Sequence, residues 1–203
     1  MTIGVLALQG AVAEHVQCVE RCGGRALAVR RGGLLADVDG LIIPGGESTT
    51  IGRLSNLFGF REEIRELAAA GKPVLGTCAG AILLARTVQG QDPIIPLMNI
   101  TIVRNAFGRQ RESFETDLTI PVLGMEPYCG VFIRAPLITG VGEGVDVLAS
   151  FGEGIVFARE KNLLAVAFHP ELTEDLRLHR YFMGMALEYR KSKVESQKSK
   201  VES

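Results

Sequence analysis

The sequence predicts an α/β fold: a three-layer, doubly wound, mainly parallel sheet with antiparallel additions. Three observations predict it. IGVLAL at 3–8 and DGLIIPGG at 39–46 hold short apolar runs, the pattern of strands buried on both faces. Helix-forming stretches alternate with such runs through the first half, whereas the second half is mostly short strands. The chain has 203 residues, 47% hydrophobic and 22% charged, enough for one substantial core.

Each element follows from local pattern. The first strand, 3–8, gives way to a helix over 11–22, and RALAVR at 25–30 is a second strand. The third strand, 39–46, is stopped by Pro44 and two glycines. Residues 49–70 carry one or two helices, with FREEIRELAAA strongly helical and Gly71 as the stop. PVLG at 73–76 is a fourth strand, and 79–86 a helix. NITIVR, DLTIPV, GVFIRAP, VDVLASF, GIVFARE and LLAVAFHP then read as strands appended to the sheet. A last helix is expected over roughly 173–191. The domain is therefore placed at 1–191, and the repeated KSKVES of 192–203, almost without apolar residues, reads as a disordered tail.

Composition narrows the function. A net charge of −1 and a pI of about 6.3 point to neither nucleic acid nor an anionic membrane as partner. No apolar run approaches the roughly 20 residues of a membrane span, and the first residues lack a basic leader, so a cytoplasmic protein is expected. Four cysteines in a chain of this length do not form a disulfide framework. Cys18 and Cys22 lie four apart on a helix with no further ligand near in sequence, so they read as packing residues and no metal is expected. Cys129 reads as structural.

Cys78 is different. GTCAG at 76–80 is the thiol version of the G-x-S-x-G elbow, preceded by a strand and followed by a helix. A nucleophile on so sharp a corner leaves no room for side chains two residues either way, which glycine answers. The helix start behind it favours a thiolate, and the Ala79 N–H points where an oxyanion forms.

A nucleophilic thiol needs a base, and a base needs an orienting group. Of three histidines, His15 and His179 read as surface or packing residues. His169 ends the apolar strand LLAVAF, at the strand end where open α/β sheets keep their sites. Pro170 biases it toward an extended backbone, so Glu171 projects to the same side and reaches the ring. A triad follows: Cys78 nucleophile, His169 base and acid, Glu171 orienter. In IIPGGEST at 42–49, Gly45 and Gly46 permit close approach of backbone to a ligand, with Gly46 N–H as second oxyanion donor. Glu47 and Ser48 follow at the rim; an ordinary turn with Ser48 as helix cap is the competing reading.

PGGEST, GTCAG and FHPELTED together resemble the class I, triad-type glutamine amidotransferases. With NAFGRQ and FIRAP, the resemblance is closest to the branch of glutaminase subunits serving pyridoxal 5′-phosphate synthases, and it covers nearly the whole chain apart from the tail. It implies the flavodoxin-like fold of that class and hydrolysis of L-glutamine to L-glutamate and ammonia through a γ-glutamyl thioester. It implies glutamine-binding positions at Gly46, Glu47, Ser48, Arg104, Ile133 and Arg134. Either Arg104 or Arg134 is suited to the α-carboxylate, with Glu47 on the α-ammonium; Arg109 and Arg111 are rivals or face a partner. It implies a separate (β/α)₈-barrel synthase that receives the ammonia, and no cofactor in this subunit. A glycine turn at 45–46 able to flip suggests an oxyanion hole completed only when that partner docks. The competing readings are a glutaminase for another acceptor, such as imidazole glycerol phosphate synthase, a cysteine peptidase-like protein, and a non-catalytic binding module.

Overall fold

The structure is a computed structural model that describes residues 1–106 and 113–201, with side chains to residue 195. Arg109 and Arg111 lie outside the described residues. The first half contains β1 (Thr2–Leu6), α1 (Val12–Arg21), β2 (Arg25–Val29), β3 (Gly40–Ile43), α2 (Ser48–Leu57), α3 (Phe60–Ala69) and β4 (Val74–Thr77). The short α4 (Ala79–Leu84) is followed by β5 (Ala85–Val88), β6 (Met98–Val103), β7 (Ser113–Leu118) and β8 (Tyr128–Ile133). Then come β9 (Leu137–Val141), β10 (Asp146–Phe151), β11 (Gly154–Glu160), β12 (Leu163–Val166) and α5 (Arg177–Val201).

One sheet runs in the order β2-β1-β3-β4-β12-β11-β9-β6-β5, with β10 against β11, while β7 and β8 form a separate ribbon. Strands β2, β1, β3, β4 and β12 are mutually parallel. β11 pairs antiparallel with β12, β9 and β10. This is the mainly parallel sheet with antiparallel additions that the sequence predicts.

Both faces of the parallel part are buried, and side chains alternate between them. Leu41 and Ile43 of β3, Val74 of β4 and Ala165 of β12 pack on one face with Ile51, Phe60, Ile64 and Leu83 from α2, α3 and α4. Ile42, Leu75 and Leu164 pack on the other with Val19 of α1 and Leu178 and Phe182 of α5. Two apolar layers on one sheet give the three-layer sandwich, and each fully buried aliphatic or aromatic side chain contributes roughly 1.5–3 kcal/mol. Among the described residues no helix is long and apolar enough to cross a membrane.

Five elements differ from the sequence reading. The helix expected over 79–86 stops at Leu84, because the incoming segment captures its last carbonyls: Ile95 N–H donates to Leu83 O at 2.9 Å and Leu97 N–H to Leu84 O at 3.0 Å. The chain then enters β5, which pairs parallel with β6. The strand expected at DLTIPV is instead Ser113–Leu118, and Pro121, which has no N–H for a ladder, opens a 3₁₀ turn. β9 has no counterpart in the sequence reading. The last helix starts at Arg177 rather than 173, because Thr173 and Asp175 bind nearby backbone: Asp175 N–H donates to Thr173 Oγ1 and Arg177 N–H to Asp175 Oδ1. It also continues beyond 191, through the segment read as a tail, to Val201. That segment holds no glycine or proline and is rich in Lys, Glu and Gln, which lose little freedom in a helix.

Candidate active site

The strand order assembles the site. β3, β4 and β12 are adjacent and parallel, so Gly45–Gly46, Cys78 and His169 leave the sheet at the same carboxyl edge. Cys78 N–H donates to Val166 O at 2.7 Å, and His169 N–H donates to Val131 O at 2.8 Å, which fixes both main chains. Cys78 has φ 48° and ψ −104°, a strained conformation for a residue with a Cβ. Its glycines are there for space. A Cβ on Gly76 would stand 2.6 Å from the Gly80 carbonyl, and one on Gly80 would collide with the Ile43 carbonyl oxygen. Cys78 is 6% exposed, and its Sγ lies 3.9 Å from the Ile133 carbonyl oxygen.

His169 Nδ1–H donates to Glu171 Oε1 at 2.7 Å. The pair forms as the sequence predicts, although Glu171 is carried on a 3₁₀ turn, Pro170–Leu172, rather than on extended chain. Burial opposes charge on His169, but hydrogen bonds with Cys78 and Glu171 outweigh it and raise its pKa to about 10. Burial likewise opposes the Glu171 carboxylate, yet His15 and then His169 hold its pKa below the ordinary value. A bare Cβ at Gly45 would touch both His169 and Cys78, so the glycine turn closes directly over the pair. That turn is held at both ends: Gly45 N–H donates to Thr77 Oγ1 at 3.0 Å, and its carbonyl accepts from Ala11 N–H at 3.2 Å.

A cavity of about 210 Å³ opens onto Cys78 and His169. Gly46, Glu47, Ser48, Ala79, Arg104, Ile133 and Arg134 all line it, so every site residue expected from sequence except the buried Glu171 reaches it. Two larger clefts, of about 650 and 450 Å³, lie around Lys193 near the opposite end of β4 and contain neither cysteine nor histidine. The cavity is small beside the roughly 300–1,000 Å³ of drug-sized sites.

Its polar groups are set in distinct ways. Glu47, not Ser48, caps α2: its Oε1 accepts Thr49 N–H at 3.1 Å, which with the Thr49 hydroxyl keeps its carboxyl below the ordinary range. Ser48 Oγ is left buried without a hydrogen-bond partner among the described residues. Arg104 bridges Glu47 Oε1 at 3.2 Å and Gln91 Oε1 at 2.9 Å. Arg134 is exposed and has φ 43°, so backbone strain turns it at the cavity mouth.

The sequence reading missed part of the site. Gln9, at the carboxyl end of β1, lines the cavity, and its Oε1 accepts Glu47 N–H at 2.6 Å. Its place at a strand end is the signal that marks it. Asn105, with φ 49°, also lines the cavity. His15 and His179, read as surface or packing residues, are wholly buried; His15 lies 3.3 Å from the Glu171 carboxylate and His179 contacts His15. No local pattern marks them. Among the described residues no group of three or more His, Cys, Asp or Glu is placed to hold a metal ion.

Comparison with known proteins places the chain in a family. The profile of the SNO glutamine amidotransferase family matches residues 5–188. A pyridoxal 5′-phosphate synthase subunit PdxT from Niallia circulans is 57% identical over 192 residues, covering 94% of this chain and 100% of that one. The PdxT of Pelotomaculum thermopropionicum is 58% identical over 184 residues, covering 90% of this chain and 94% of that one. A crystal structure described as a glutamine amidotransferase superposes with a TM-score of 0.86 at 49% identity, covering 91% of this chain and 98% of that one. PurLQS from Thermotoga maritima, at 17% identity and a TM-score of 0.70 over 93% of this chain and 97% of that one, shares the fold alone. With a profile match across most of its length and relatives above half identity, the chain belongs to the SNO glutamine amidotransferase family.

Proposed function

We propose that this chain is the glutaminase subunit of a pyridoxal 5′-phosphate synthase, hydrolysing L-glutamine to L-glutamate and ammonia. The observation that carries the reading is Cys78 on a strained corner, against an imidazole bound to a buried carboxylate, at the floor of an amino-acid-sized cavity. Its relatives of 57% and 58% identity carry the PdxT name.

In this reading His169 takes up the thiol proton and Cys78 Sγ attacks the side-chain amide carbon of glutamine. The carbonyl oxygen becomes an oxyanion that the Gly46 and Ala79 N–H groups receive. His169 gives its proton to the leaving nitrogen; the C–N bond breaks, ammonia departs and a γ-glutamyl thioester remains. A water, deprotonated by His169, attacks the thioester carbon, and glutamate and the thiol are released. Glu171 keeps the His169 tautomer and offsets the imidazolium charge.

Substrate recognition uses the rest of the cavity. Ser48 offers an unpaired buried hydroxyl, which a ligand's polar group relieves of a cost of about 1–3 kcal/mol. Arg104 and Arg134 are the two guanidinium groups within reach of an α-carboxylate, and Glu47 is suited to the α-ammonium. Ile133 supplies an apolar wall. The chemistry needs no cofactor. The ammonia is passed to a (β/α)₈-barrel synthase subunit, and four unpaired cysteines fit the cytoplasm as the place of action. The test is glutamate release from L-glutamine by the chain together with that synthase. Loss of release in Cys78→Ala is expected, and retention would overturn the reading.

A further inference from the structure

We propose that His15, seated by His179, is a positioning residue for this site: it donates to the second oxygen of Glu171 and, through Thr77, ties that carboxylate to the Gly45–Gly46 turn. The inference rests on the triad reading above.

His15 belongs to α1 and is fully buried, beyond reach of the cavity. Its Nε2 lies 3.3 Å from Glu171 Oε2 and 3.2 Å from Thr77 Oγ1, and its Nδ1 lies 3.0 Å from His179 Nε2. Counting protons fixes who donates. Glu171 Oε1 already accepts from His169, whereas its buried Oε2 has no hydrogen-bond partner among the described residues and stands 3.3 Å from His15 Nε2. An ionised carboxylate only accepts, and the Thr77 hydroxyl oxygen can accept as well, so a hydrogen on His15 Nε2 suits both neighbours. A neutral imidazole has one N–H, so His15 Nδ1 is bare and must accept from His179 Nε2–H. His179 Nδ1 is then bare as well, and it is the ring nitrogen without a partner among the described residues. The reverse arrangement would leave a buried N–H on His179 unmet and set a bare His15 nitrogen against the carboxylate oxygen 3.3 Å away, a costlier pair of defects.

Both outer rings are kept neutral. Burial lowers the His15 pKa against the pull of Glu171, with His169 lowering it further and Glu14 raising it. Burial and His15 lower that of His179, to about 3, against Glu171. A neutral donor supports the Glu171 carboxylate without cancelling its charge, which stays available to the His169 imidazolium. Thr77 adds a second link, because its hydroxyl oxygen accepts the Gly45 N–H and also faces the His15 N–H. The carboxylate behind the base and the turn over the thiol therefore share one anchor.

The test uses the full chain with its synthase, following glutamate release against pH. His15→Gln can restore a donor at the Nε2 position, whereas His15→Asn reaches only the Nδ1 position. Expected for His15→Asn is a kcat lower by about 10–100-fold, the scale seen for outer partners of functional histidines, with KM for glutamine nearly unchanged. Its acid limb should move up by about one pH unit, since a carboxylate that loses a donor protonates earlier. His15→Gln should recover most of kcat. Wild-type kcat and pH profile in His15→Asn, with Cys78→Ala inactive, would overturn the inference alone; an active Cys78→Ala would overturn the triad reading and this inference with it. ¹⁵N NMR of the unmodified protein checks the same assignment without any variant. His15 and His179 should both appear as neutral Nε2–H tautomers, and an Nδ1–H tautomer on His15 would overturn it.

Discussion

At Gly80 the whole corner depends on one missing methyl group. A Cβ there would collide with the Ile43 carbonyl oxygen, a backbone atom in the middle of a packed sheet that cannot rotate away. Gly80→Ala is therefore expected to destabilise the fold by about 1–3 kcal/mol and to shift Cys78 out of line with His169, so that thermal unfolding and glutamate release both fall. Wild-type melting and rate in that variant would contradict the steric account. Residues of this kind were legible in the sequence because their spacing is local. Glycines two residues either side of a cysteine state the corner, and His-Pro-Glu states the imidazole paired with a carboxylate. His15 and His179 were not legible, since their role arises only where α1, the turn at 170–172 and α5 meet. Ser48 was legible as a rim residue, but not that Glu47 would take the cap and leave its hydroxyl unpaired.

Among the elements, α5 offers a clean test of helix physics. Gly184 lies exposed within it, and an added Cβ meets nothing within 4 Å. Gly184→Ala should stabilise the protein by about 1 kcal/mol, by removing backbone freedom from the unfolded chain at no steric cost. An unchanged or lower melting temperature would show that the helix is not formed there in solution. The parallel strands β1, β3, β4 and β12 were legible because burial on both faces writes a continuous apolar run. β5 and β9 were not. Each is only four or five residues, ARTV and LITGV, and carries exposed positions. Their strand character comes from pairing with β6, from opposite sides, and not from local pattern. The last helix misled at both ends: side-chain bonds by Thr173 and Asp175 delay its start, and a sequence with few apolar residues still continues it.

For the whole molecule, the buried histidines set the response to pH. His179, with its pKa lowered to about 3, and His15, also lowered, cannot take up protons in the fold that they take up when unfolded near pH 6.5. The stability they contribute is full above about pH 6.5 and is lost as pH falls below it, on the order of 1 kcal/mol per pH unit for His179. His169, raised to about 10, acts in the opposite sense: its contribution is full below about 6.5 and is lost as pH rises toward 10. Denaturant unfolding should therefore give greatest stability near pH 6–7, falling on both sides. His179→Leu should flatten the acid side. A wild-type stability that stays level down to about pH 4 would contradict the burial of neutral histidines. The architecture itself was legible as a class from composition and rhythm; the strand order that brings the ends of β3, β4 and β12 together was not, because nothing local in LLAVAF says that it pairs with PVLG.

The most direct measurement is glutamate release from L-glutamine, with and without the synthase subunit, for the wild-type chain and for Cys78→Ala. Release that depends on the synthase and disappears in Cys78→Ala is the expected result, and it would establish the thiol chemistry and the partner together. Release that survives Cys78→Ala would contradict the central claim, leaving the strained cysteine as no more than a turn between β4 and α4.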